Sequence, residues 1–178
     1  MLVSVSSFWA KMEIRAAAVL AAAITALILL NVVTRSLGAA LYWVDELAIY
    51  AMVWMTFLGA SASVHYGNAV TITVLTSALS RRAASVVAKL VDLTLLVISL
   101  FLLWFCWRWF NPLELARHGF DVAAFQGATF NFIYAEPTST LGLPKVWVWL
   151  VLWLFAFGLT LHSVTNVIHG PQPRKVPA

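Results

Sequence analysis

Read for hydrophobic and polar periodicity, the chain resolves into four long runs that are apolar nearly all round, joined by stretches that hold most of its charges. The runs cover residues 16–33, 47–64, 90–110 and 146–167. A helix needs about 20 mostly apolar residues to cross a bilayer core. Strands of a membrane barrel would alternate every second residue, and these runs do not. Backbone groups in hydrocarbon must be satisfied within the segment, so each run is expected to be a helix. The pattern predicts an all-α membrane protein, a single four-span domain over residues 1–178.

The connections carry weaker signals. Residues 1–15 mix Leu2, Val3, Val5, Phe8, Trp9, Met12 and Ile14 with Lys11, Glu13 and Arg15. They read either as an amphipathic helix in the membrane interface or as a short lead-in to the first span. Within residues 66–89, Val70, Val74 and Ala78 with Leu75 and Leu79 form a helical stripe backed by Arg81 and Arg82, which predicts a second interfacial helix. Residues 111–145 form the longest connection, with turn signals at Asn111-Pro112, Glu136-Pro137 and Gly142-Leu143-Pro144. The Pro-rich tail 170–178 is expected to fray. Leu37-Gly38-Ala39-Ala40 resembles a signal-peptide cleavage site, but residues 42–50 run straight into another span, so the first span is expected to be retained.

Composition narrows the function. Of 178 residues, 62% are apolar and 10% charged, where a soluble domain would carry roughly 25% charged residues. The net charge of +4 comes from 11 basic and 7 acidic groups, too few and too scattered for a nucleic-acid surface. Cys106 is the single cysteine, so no intramolecular disulfide forms. Basic residues favour the cytoplasmic side. Lys11, Arg15, Arg81, Arg82, Lys89, Arg174 and Lys175 share one side in a four-span topology, against Arg35, Arg108, Arg117 and Lys145 on the other. The bias places both termini in the cytoplasm and the 111–145 connection in the periplasm. Trp43, Trp104, Trp107, Trp109, Trp147 and Trp149 then fall at the outer ends of spans, as an aromatic belt.

Candidate chemistry is sparse. Charges inside a span are functional hypotheses. Asp92 lies three residues after Lys89 and is expected to pair with it; Arg108 sits in a last turn and can snorkel. Asp45 and Glu46 precede the second span, where a helix N-terminus favours anions or a polar contact to another subunit could form. None of the seven acids is expected at mid-membrane. His65 and His162 have matched depth, so a bis-histidine b-type haem, and with it a small cytochrome or redox anchor, is the alternative reading. No metal-ligand cluster and no catalytic motif is found, and neither enzyme activity nor a cofactor is expected. Small residues four apart, Ala18/Ala22/Ala26, Gly59/Ser63 and Ala156/Thr160, fit close helix packing.

The segment Trp43-Val44-Asp45-Glu46-Leu47-Ala48-Ile49-Tyr50-Ala51-Met52-Val53-Trp54-Met55-Thr56-Phe57-Leu58-Gly59-Ala60 resembles the signature of the small membrane subunit of tripartite ATP-independent periplasmic (TRAP) transporters. Arg35 matches a basic residue that family often has after its first span, and Gly142-Leu143-Pro144 its usual entry to the fourth. Ile49 stands where the family commonly has Arg, and Gly67-Asn68-Ala69-Val70 lacks the family's His. The small subunit of the tripartite tricarboxylate transporters is a related four-span alternative. The resemblance implies a non-catalytic scaffold in a bacterial inner membrane. Its partners would be a large elevator-type membrane subunit, driven by sodium, and a periplasmic protein that binds organic acids. It also implies Arg35, Asp45, Glu46, Tyr50, Trp54 and Gly59 as residues of a subunit interface or docking surface.

Overall fold

The computed structural model describes residues 1–67 and 80–170, with the side chain of Arg81 left aside. Its elements in chain order are α1 (Leu2–Ser36), α2 (Tyr42–His65), α3 (Arg81–Phe110), α4 (Pro112–Arg117), α5 (Val122–Thr129) and α6 (Val146–His169). Four of them, α1, α2, α3 and α6, are long and apolar enough to cross a membrane. Among the described residues there is no strand, and a lone bridge joins Pro137 to Pro144.

The first helix is longer than its apolar run. Residues 1–15 are an ordered lead-in rather than a separate interfacial helix: they are the first turns of one 35-residue helix. No Gly or Pro interrupts Leu2–Ser36, and Ala-rich sequence favours continuation. At 1.5 Å per residue α1 is about 52 Å long, against a hydrocarbon core of about 30 Å. Its packed face runs through Ala10, Glu13, Ala17, Leu20, Ile24, Leu27, Asn31 and Thr34, a three-and-four spacing typical of a helix stripe. Ala18, Ala22 and Ala26 lie on the exposed side, so that small-residue row is not packed within the chain.

The third span also begins early. Ser80 caps α3, its Oγ accepting from the Ala83 N–H at 3.3 Å, so the helix starts at Arg81 rather than Leu90. The expected interfacial stripe at Val70–Leu79 lies outside the described residues, as does most of the tail. α3 stops at Asn111, which takes a left-handed conformation (φ 42°) and turns the chain into α4, with Pro112 at its first position.

The packing order follows from the pairings. α1 lies against α2, α2 against α6, and α6 against α3, with a smaller α1–α6 contact. α1 and α2 are antiparallel, as are α3 and α6, so one end of the bundle carries the start of α1 and the end of α6. The opposite end carries α4, α5 and the chain up to α6. There residues 111–145 fold into a cap rather than a plain connection. Asp121 caps α5 through Ala123 and Ala124 N–H groups at 2.9 and 3.1 Å. Phe110, Leu115, Phe125 and Ile133 form a buried cluster against Tyr134, Trp149 and Trp153. Tyr134 donates to the Phe110 carbonyl at 2.7 Å, and burial pushes its phenol above the usual tyrosine range.

Candidate functional site

At the cap end, Arg35 closes the last turn of α1 and Asp45 opens α2. Arg35 Nη2 donates to Asp45 Oδ2 at 2.6 Å across the turn, and Asn31 joins them, accepting from Arg35 Nε at 3.0 Å and donating to Asp45 Oδ1. The side chains of the ion pair remain about half exposed (56% and 44%). Such a pair contributes little to stability but fixes the geometry of the α1–α2 corner.

Glu46 is differently placed. Its carboxylate turns toward the cap and accepts from the backbone N–H groups of Ser139, Thr140 and Leu141 at 2.7, 2.6 and 3.1 Å. The Thr140 hydroxyl (2.6 Å) and the Tyr50 phenol (2.7 Å) complete the set. Three successive N–H groups aimed at one anion form a concave nest, and hydrogen bonds to a charged acceptor are the stronger kind. The nest sits at the tip of a strap closed by Thr138 N–H to Leu143 O (2.8 Å), Lys145 N–H to Glu136 O (2.8 Å) and a Lys145–Glu136 ion pair (2.6 Å). Gly142 supplies the positive φ (68°) that the strap's turn requires. Trp54, one turn below Tyr50, donates from its indole to the Val148 carbonyl at 2.9 Å, tying α2 to the start of α6.

The sequence-predicted residues therefore separate into two kinds. Arg35, Asp45, Glu46 and Tyr50 are brought together around one corner and one strap. Gly59 is apart from them, and a Cβ built there would meet nothing within 4 Å. The close approach in this bundle is at Gly158 on α6, where a Cβ would stand 2.3 Å from Glu13 Oε1, 2.6 Å from Ser61 Oγ and 2.8 Å from Trp9 Nε1.

Those neighbours belong to a buried polar cluster at the end carrying the termini. Ser6 and His162 are fully buried, His65 is 1% exposed and Glu13 3%. One acid is thus enclosed by the bundle after all, at this end of it. Ser6 Oγ stands 2.8 Å from Nδ1 of both His65 and His162. His162 Nε2 is 3.0 Å from Glu13 Oε2, Trp9 Nε1–H donates to Glu13 Oε1 at 2.9 Å, and Ser7 Oγ lies 3.3 Å from His65 Nε2. Asn166 donates to the Val64 carbonyl at 2.7 Å beside them. The imidazoles meet at a centroid distance of 5.1 Å with both Nδ1 atoms turned to the same serine, which leaves no slot for a porphyrin plane between them. The geometry does not fit the haem reading. Among the described residues no group of His, Cys, Asp or Glu converges as a metal site. Lys89 acts on Asp92 through its charge without a direct ion-pair contact; its ammonium donates to the Val167 carbonyl at 2.6 Å and ties α3 to the end of α6.

Sequence reasoning registers the matched depth of His65 and His162 but not Glu13. The available signal is the row Ser6, Trp9, Ala10 and Glu13 at steps of three, one and three, which share one face of a continuous helix.

Comparison with known proteins places this architecture. The family model described as "Tripartite ATP-independent periplasmic transporters, DctQ component" matches residues 24–171. No curated protein and no solved structure shows a match.

Proposed function

Because the chain belongs to the DctQ component family of tripartite ATP-independent periplasmic transporters, we propose that it is the scaffold subunit of a sodium-coupled system that imports organic acids across a bacterial inner membrane. It supports a large elevator-type membrane subunit and helps dock the periplasmic binding protein. The family is one of transporter components, and its match begins inside the first of four membrane-length helices and covers the other three.

The observation that supports a scaffold is where the polar groups go. Transporter sites lie near the middle of the bilayer on broken helices. Here α1, α2, α3 and α6 are unbroken, and the buried polar groups of the cluster bond one another. α3 packs chiefly on α6 and leaves Leu93, Val97, Leu100, Phe101 and Trp104 exposed. That face is available to the large subunit, and so is Gly59. With both termini cytoplasmic, the Arg35–Asp45 corner and the Glu46-held strap face the periplasm, where the binding protein would dock.

Reconstituted vesicles test the assignment. Omitting this chain should abolish uptake, and exchanging it for a relative's should leave substrate selection with the other two components. A change of substrate on exchanging this chain alone overturns the scaffold reading. Orientation is read separately, in a Cys106→Ala background. An impermeant thiol reagent on intact cells should label the exposed Ser139→Cys and spare the exposed Ser80→Cys.

A further inference from the structure

We propose that residues 122–135 of the cap lie in the headgroup boundary of the bilayer leaflet at the cap end, with Phe130 and Phe132 among the lipids, so that this part of the cap meets membrane rather than another protein. The segment contains no charged residue, and charges resume on either side of it at Asp121 and Glu136. Its inner side packs into the fold, where Phe125 and Ile133 are buried in the aromatic cluster. Its outer side is apolar as well: Ala123, Ala124, Gly127, Ala128, Phe130 and Phe132 are exposed. A cap element in water carries polar residues on its outer face. An exposed apolar surface marks contact with something beyond the chain.

The backbone at Phe130 sharpens the point. Phe130 ends α5 in the left-handed conformation (φ 53°), a position where helices usually place Gly. A bulky side chain there is strained. The ring is 82% exposed, so packing within the chain does not offset that strain. Phe120 repeats the pattern, with a φ of 63° and 71% exposure. Two phenylalanines are thus held at backbone positions that favour Gly, with their rings outside the core.

Depth follows from two hydrogen bonds. Asn131 Nδ2 donates to the Trp109 carbonyl at 2.6 Å, and the Tyr134 phenol to the Phe110 carbonyl at 2.7 Å. Both carbonyls belong to the last turn of α3, so the segment is fastened level with the end of a span, at the height of the exposed Trp107 and Trp109. Its backbone donors are satisfied locally, as a water-poor setting demands. The Asn131 N–H donates to Thr129 Oγ1 at 3.2 Å, and the Ile133 N–H to Asn131 Oδ1 at 3.1 Å. The charge of Asp121, which caps α5, limits how far the segment sinks. An uncharged apolar surface at that level matches the boundary between headgroups and acyl chains. A docking surface for a soluble protein carries a polar rim, as the strap and the Arg35–Asp45 corner do.

Nitroxide labels read the environment. Phe130→Cys and, separately, Ser139→Cys are made in a Cys106→Ala background, labelled, and placed in vesicles of phosphatidylethanolamine and phosphatidylglycerol. Collision with oxygen, which concentrates in the bilayer, is compared with collision with a water-soluble nickel chelate. The measurement is made on the chain alone, with the large membrane subunit, and with the binding protein added. The expected result for the chain alone is a reversal between sites, oxygen dominating at position 130 and nickel at position 139. The reading at position 130 should then stay the same in all three states. Nickel access at position 130 equal to that at position 139 in the chain alone overturns the proposal. So does loss of both collisions at position 130 when either partner is present, which identifies a protein interface instead. Should Phe130→Cys fail to fold, Phe132→Cys carries the same reading.

Discussion

At the end of the bundle that carries the termini, Ser6, Glu13, His65 and His162 are each at most 3% exposed and bond to one another across three helices. At the cap end, Arg35 and Asp45 stand about half in the open, and Glu46 bonds to a strap of its own chain. Both ends use a carboxylate, yet the two do different physical work. A buried polar group left unpaired costs its full desolvation, so the first set locks α1, α2 and α6 into one arrangement. An exposed pair gives up little to water, so the second set shapes a surface and contributes little to stability.

The comparison breaks most sharply at His162. His162→Ala leaves the Glu13 carboxyl without its buried partner and Ser6 with one ring fewer. We expect a loss of about 3–5 kcal/mol, by analogy with broken buried pairs, read as a fall in Tm of the detergent-solubilised subunit. A loss below about 1 kcal/mol would mean that water reaches this cluster freely.

Gly158→Ala comes next. Its Cβ would stand 2.3 Å from Glu13 Oε1, and that side chain cannot swing aside without abandoning Trp9 or His162. Overpacking of this kind costs about 1–3 kcal/mol. Gly59 sharpens the contrast, because nothing stands within 4 Å of a Cβ there. Gly59→Leu should leave the Tm of the isolated subunit unchanged and reduce co-purification with the large membrane subunit. Unaltered co-purification would remove Gly59 from the interface.

The smallest effects are expected at the cap end. Glu46→Ala should leave the bundle's Tm nearly unchanged while limited proteolysis begins to cut within residues 138–143, because three N–H groups and two hydroxyls lose their common acceptor. Arg35→Ala should shift stability by about 0.2–1 kcal/mol, diminishing further in high salt. In vesicles, both substitutions should raise the apparent KM for the loaded binding protein more than they alter the assembly of the membrane subunits.

What could be read before folding, and what could not, divides by the range of the interaction. Apolar runs as long as a bilayer is thick are a local property, so the four spans are visible in the sequence. Arg35 and Asp45 are local too, partners ten residues apart at the α1–α2 corner. The strap that Glu46 holds is 93 to 95 residues away, and no periodicity announces it. The cap of residues 111–145 is hidden for a similar reason: α4 and α5 are 6 and 8 residues long, too short to show a helical period. Glu13 reads as interfacial because its near neighbours Lys11 and Arg15 are charged. Its true environment is supplied by His162, 149 residues later.

The order in which the helices emerge gives the α3 packing a meaning during synthesis. α3 has one principal neighbour, and that neighbour is α6, which begins well after α3 ends, beyond the whole 111–145 cap. At roughly 5–20 residues per second, translation of that cap takes a few seconds. Through that interval α3 must stand in the membrane as a solitary span, its ladder complete and its outer surface wetted only by acyl chains. Its lack of a mid-span charge between Asp92 and Arg108 suits it to that wait. The helix that the finished subunit holds least is therefore one apolar enough to insert alone, and it keeps a face open once α6 has joined it.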